Sequence, residues 1–189
     1  MEAFSAGTLA GAGSFRCEEC GYGIALHERD QVPACPHCGS SSFKRARLFE
    51  PPAHIEEAPA TDPETPDWLA ATRGQLDEPG DYLAFEDGDE IRVIALHDEW
   101  TRIGRSLSAQ VRFDDPTVSR RHSLVHRCDG TARILDDRSL NGVFLNGERI
   151  DWHELSDGDE IAVGRFRLFF ISAERSPAGR TGGRNVAIA

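Results

Sequence analysis

The chain has 189 residues, enough for one full domain and one small one, and carries 32 acidic against 21 basic residues for a net charge of -11. Hydrophobic residues make up 39% of it, and no apolar run is long enough to cross a bilayer as a helix. Its acidity disfavours a nucleic-acid partner, for which Lys44-Arg45-Arg47 is the one basic cluster.

Residues 1–14 are small and lack a basic region followed by an apolar one. They are expected as a flexible N-terminus rather than a secretory signal, with a cytoplasmic location as the default. The first ordered unit is expected over 15–49, where Cys17-Glu18-Glu19-Cys20 and Cys35-Pro36-His37-Cys38 form two matched pairs fourteen residues apart. In a reducing compartment a doubled Cys-x-x-Cys pattern points to a metal rather than to disulfides. Each tight turn presents two thiolates to one ion, and Gly21 and Gly39 just after supply a permissive backbone. The segment resembles a zinc ribbon, and its Cys-Gly-Tyr and Cys-Pro-x-Cys-Gly phrases are similar to rubredoxin-like knuckles. One structural zinc on Cys17, Cys20, Cys35 and Cys38 is the expectation, while iron suits the same four thiolates. His27 and His37 are spare donors outside that closed set. A segment this short cannot bury enough apolar surface to hold a fold unaided, so the ion supplies the missing free energy.

From Glu50 to Gly80 the composition turns to Pro, Ala and acid, with eight acidic residues against one basic. Such a stretch is expected to be a disordered, self-repelling linker whose ends stand roughly 30 Å apart, leaving two domains that move independently. A helical turn is predicted inside it, with Thr65 as cap, Pro66 in the first helical position, and Trp68, Leu69 and Ala71 following.

Residues 81–173 read as ten short strands: 82–85, 90–96, 101–104, 110–113, 123–128, 131–135, 143–145, 148–150, 160–163 and 166–172. Asp-Gly and Asn-Gly turns separate them, and the pattern predicts a β-sandwich without an internal helix. Asp87-Gly88-Asp89-Glu90-Ile91 recurs as Asp157-Gly158-Asp159-Glu160-Ile161 and is read as turn followed by strand. Cys128, Trp100 and Trp152 are expected to pack inside. Residues 174–189 are Gly-rich and expected to be a disordered tail.

Three polar clusters interrupt the strands: Gly104-Arg105, Ser119-Arg120-Arg121-His122 and Ser139-Leu140-Asn141-Gly142. Arg105 offers a planar fork suited to phosphate, Ser119 a hydroxyl, and Asn141 an amide that can both donate to and accept from a main chain. No oriented base and oxyanion site accompany Ser119, so the set reads as a clamp for an anionic peptide and not as an enzyme. From about Tyr82 to Ser172 the chain resembles the forkhead-associated (FHA) domain, a phosphothreonine-peptide binding module. The resemblance includes the hairpin signal Asn146-Gly147 and the closing Leu155 to Ile161 stretch. It implies that Arg105 and Ser119 contact the phosphate, with Arg120 beside it, and that Asn141 holds the peptide main chain. The same resemblance implies that Gly104, His122, Ser139 and Gly142 shape the loops. Many members have Thr before the Asn-Gly pair, whereas this chain has Leu140, which has no polar atom to offer a phosphate.

The overall expectation is a mainly β, non-enzymatic adaptor in serine/threonine kinase signalling, with the ribbon as a second interaction module. Its partner would be a phosphothreonine protein or peptide. A phosphorylated Thr61, Thr65 or Thr72 in the linker would also meet the clamp at high effective concentration. The alternatives are a rubredoxin-like electron-transfer protein holding iron and a nucleic-acid-associated regulator using the ribbon.

Overall fold

Among the described residues, short strands bounded by glycine and aspartate assemble into three mainly antiparallel sheets with one helix. The computed structural model describes residues 3–46, 55, 58 and 65–173. The first four strands are β1 (Ala3–Ser5), β2 (Gly13–Cys17), β3 (Gly23–Leu26) and β4 (Ser42–Arg45), hydrogen-bonded in the order β1-β4-β2-β3. The helix is α1 (Asp67–Gly74). After it come β5 (Gly80–Asp87), β6 (Glu90–Ala95), β7 (Trp100–Gly104), β8 (Val111–Arg112), β9 (Ser123–Cys128) and β10 (Thr131–Asp136). The last five are β11 (Val143–Leu145), β12 (Glu148–Ile150), β13 (Trp152–Glu154), β14 (Glu160–Val163) and β15 (Phe166–Ala173).

Two of the sheets, ordered β13-β10-β9-β7-β8 and β12-β11-β14-β15-β5-β6, pack face to face as a β-sandwich. Their shared core contains Leu83, Phe85, Ile103, Val125, Ile134, Val143, Ile161 and Leu168. The mainly β sandwich expected from the strand pattern is the fold observed. Only the short β7–β8 pair is parallel within the sandwich. At the β11–β12 hairpin Asn146 and Gly147 both take positive φ, 51° and 88°, the geometry a two-residue hairpin turn demands.

The central strands of the six-stranded sheet are buried on both faces, whereas its edge strand β6 is largely exposed. Leu69 of α1 packs with Tyr82, Ala84, Phe169 and Ile171 on its outer side, and Trp68 meets Phe169 edge-on at 5.6 Å. Elsewhere on the same side Phe144 and Ala162 join Phe15, Tyr22, Ile24 and Phe43 of the N-terminal unit in one apolar cluster. This double covering explains the unbroken apolar runs of β5 and β15, which lack the in-out alternation of a half-solvated strand.

Several expectations are corrected. Of the expected flexible N-terminus, 1–14, the described residues 3–14 are not a flexible lead-in: β1 pairs with β4, and Phe4 packs edge-on to Phe15 at 5.2 Å. The two units are docked on one another rather than held apart by the tether, since they share an apolar cluster and several hydrogen bonds. Within the expected linker, Ile55 is buried and its carbonyl accepts from Arg149. Helix α1 begins one residue later than predicted, with Pro66 at the cap position (ψ 138°), where its carbonyl accepts from the Leu69 N–H. Trp152 is 62% exposed on the edge strand β13, Trp100 is 41% exposed and stacked on His126, and Cys128 is exposed at the end of β9. The expected tail, 174–189, lies outside the described residues.

Candidate functional site

The four cysteines of the knuckles converge. Their sulfurs all lie within 4.8 Å of one another, with Cys17 to Cys38 and Cys20 to Cys35 each at 3.6 Å. Metal–sulfur bonds of about 2.3 Å in a tetrahedron require sulfurs about 3.8 Å apart, so the donor set fits one ion. Both knuckles use the same backbone turn: Gly21 N–H donates to the Cys17 carbonyl and Gly39 N–H to the Cys35 carbonyl. The two glycines take φ of 77° and 74°, a region that favours glycine. His27 is exposed on a turn and His37 stacks near Tyr22; neither joins the cluster.

The three polar loops of the sandwich also meet. Arg105 N–H donates to the Ser119 carbonyl, and Leu140 N–H donates to Ser119 Oγ. The close approach requires Gly104, where a Cβ would lie 2.5 Å from the Arg120 carbonyl oxygen. His122 sits beneath with no exposure; its Nδ1 accepts from Ser119 N–H, so Nε2 carries the proton donated to the Gly142 carbonyl. Burial pushes this imidazole down to about 4. Ser139 donates to Asp136 and accepts from Gly142 N–H, fixing the turn in which Gly142 takes a φ of 100°. Both ring nitrogens of His122 are therefore engaged, and the ring is no base for Ser119 Oγ.

The N-terminal unit's edge strand lies against these loops. Asn141, 1% exposed, accepts from Gly23 N–H at 2.7 Å and donates to the Gly23 carbonyl at 2.8 Å. Two residues on, Ala25 N–H donates to the Pro116 carbonyl, and Arg105 Nη1 donates to the Ala25 carbonyl at 2.8 Å. The Arg105 guanidinium continues to Asp30, with Nη2 at 2.6 Å from the carboxylate, and to Asp114, with Nε at 3.1 Å. Burial works to raise the Asp30 carboxyl, but the His27 N–H and the Arg105 guanidinium outweigh it and hold it below the usual range. Leu140 fills the space beside Gly23: a Cβ on Gly23 would lie 2.5 Å from Leu140 Cδ2. Arg120 is exposed, and its guanidinium has no hydrogen-bond or ion-pair partner among the described residues. It borders a cavity of about 260 Å³ between the two units, walled also by Arg105, Ala25, Leu26 and His27.

Sequence reasoning missed Gly23, Ala25, Asp30 and Pro116, whose roles arise only when distant segments meet. Phe144 and Ala162 left a trace, because each breaks the alternation of its strand toward the apolar side. Of the basic cluster, Arg45 is spent on the Ala10 and Ala12 carbonyls and lies over the Phe15 ring, while Arg47 is outside the described residues. Among the linker threonines, Thr72 is buried in α1, Thr65 is exposed, and Thr61 is outside the described residues. Thr72 is thus withdrawn as a ligand in cis. No described helix is long and apolar enough to cross a membrane.

Residues 101–164 match the FHA domain family, and residues 1–47 match a family described as a zinc-ribbon containing domain. The protein therefore carries an FHA domain behind an N-terminal zinc-ribbon domain. Among curated relatives, the oxoglutarate dehydrogenase inhibitor of Corynebacterium diphtheriae is 43% identical over 76 residues, 40% of this chain and 53% of that one. The glycogen accumulation regulator GarA of Mycolicibacterium smegmatis is 40% identical over 76 residues, 40% and 48% of the two chains. The chain thus spans about half the length of the curated relatives it matches. A solved structure described as an analysis of phosphothreonine-dependent FHA domain interactions is 30% identical, with a TM-score of 0.48, covering 50% of this chain and 98% of that one.

Proposed function

We propose that the protein is a phosphothreonine-peptide binding adaptor acting in serine/threonine kinase signalling in the cytoplasm. Arg105 and Ser119 are assigned to the phosphate, Arg120 beside it, and Asn141 to the main chain of the bound peptide. The observation that carries this reading is what Arg105 and Asn141 already grip: a carboxylate, and both main-chain polar groups of an extended strand. These are the chemical features of an extended peptide bearing an anion. The engaged ring of His122 supports a non-enzymatic role, since Ser119 lacks an activating base.

In the ribbon, Cys17, Cys20, Cys35 and Cys38 would hold one structural zinc that closes the fold without an open coordination position. Elemental analysis giving one zinc per chain and a colourless protein is the expected result. An iron–thiolate absorption band would favour electron transfer instead. The adaptor reading is tested by titrating a phosphothreonine peptide library against the full chain. The expected result is that a phosphothreonine peptide binds and its unphosphorylated form does not, with Arg105→Ala weakening binding at least roughly thirtyfold, about 2 kcal/mol or more. Equal affinity of the Arg105→Ala variant would refute the assignment.

A further inference from the structure

Strand β3 is the outer strand of its sheet, so one row of its backbone N–H and C=O groups is left without a strand partner. The sandwich loops satisfy that row. Gly23 is held on both polar groups by Asn141, and Ala25 is held on both by Pro116 and Arg105. The turn that follows carries Asp30 to the same guanidinium. It is itself closed by the hydrogen bond from His27 N–H to the Asp30 carboxylate.

We propose, resting on the phosphopeptide reading above, that the ribbon is the sandwich's resident ligand. The main chain of β3 lies where a partner peptide would lie, the Asp30 carboxylate stands in for the phosphate, and a phosphothreonine partner enters only as the ribbon leaves.

Three further features fit this arrangement. Leu140, which offers nothing to a phosphate, packs into the space left by the missing side chain of Gly23, so the pair matches the ribbon rather than a general peptide. A carboxylate carries one charge where a phosphate carries up to two, and the Arg120 guanidinium is correspondingly without a partner among the described residues beside the interdomain cavity. The stand-in is thus a weaker anion than the ligand that displaces it. Tethering offsets that weakness, because an intramolecular competitor acts at high effective concentration.

The test uses the full chain and two variants. Asp30→Asn keeps an acceptor for the His27 N–H but removes the charge facing Arg105. Gly23→Val places a strand-compatible side chain where Leu140 leaves no room, and so blocks seating without asking the ribbon to unfold. Both are expected to bind a phosphothreonine peptide about tenfold more tightly or better, since apparent affinity rises with the fraction of open sites. Arg105→Ala added to either should abolish the gain. In the parent, adding peptide should move the Ala25 amide resonance toward its position in Gly23→Val. Affinities equal to the parent's in both variants, or peptide binding that leaves the Ala25 amide unmoved, would overturn occupation in cis while leaving the adaptor reading intact. Failure of every variant, Gly23→Val included, to bind any phosphothreonine peptide would overturn the adaptor reading and this inference with it.

Discussion

Asn141 does its work with both ends of one amide, and its burial makes each contact count. Truncating it strands the Gly23 N–H and carbonyl at a surface closed to water, a loss of about 2 kcal/mol. In Asn141→Ala, hydrogen exchange at the Gly23 amide should therefore quicken by about thirtyfold. His122 sets a pH dependence. Its neutral form is buried and its pKa lies near 4, below the ordinary 6.5, so between those values the unfolded chain binds a proton that the folded chain refuses. Stability is fully present above about 6.5 and falls as the pH drops toward 4, after which this group contributes no further loss. Denaturant midpoints measured across that range should decline in the parent and much less in His122→Gln. At this scale Arg105, Asn141 and the cysteines were legible because few residue types offer a fork, a two-way amide or a thiolate at fixed spacing. Asp30 was not, since its carboxylate acquires a role only through a guanidinium 75 residues away.

Among the elements, α1 shows how a polar stretch can still dock. It has few apolar residues, but Leu69 is 3% exposed and Trp68 meets Phe169. Leu69→Ala should cost about 2 to 3 kcal/mol in chemical denaturation of the full chain, whereas substitution of the exposed Ala70 should be close to neutral. Ten of the sandwich strands were legible from turn signals and apolar runs. Strand β13 escaped because Trp152, His153 and Glu154 are all exposed and carry no in-out pattern, their place being fixed by pairing with Ile134 and its neighbours on β10. Cys128 and Trp152 were misplaced for a related reason: a residue's apolar character says little about its depth at the end or edge of a sheet.

Across the whole molecule, the ribbon and the sandwich are coupled through one face. If an ion closes the ribbon, as its four sulfurs allow, then stripping it with a strong chelator removes folding free energy from β1 to β4. Protection at the Gly23 and Ala25 amides should be lost, while the sandwich amides of β9 and β14 stay protected. Retention of β3 protection in metal-free protein would show that docking alone holds the ribbon. The arrangement of the two units was the part least open to sequence reasoning. Acidic, proline-rich composition sets how far a tether can reach, not whether its ends meet.

Phe144 is 2% exposed only because another unit lies on it. When that cover lifts, a phenylalanine on the outside of a sheet is left facing water beside Ala162. Hydration of that bare patch favours rapid reclosure once a partner dissociates, and at high concentration it gives opened molecules an adhesive spot.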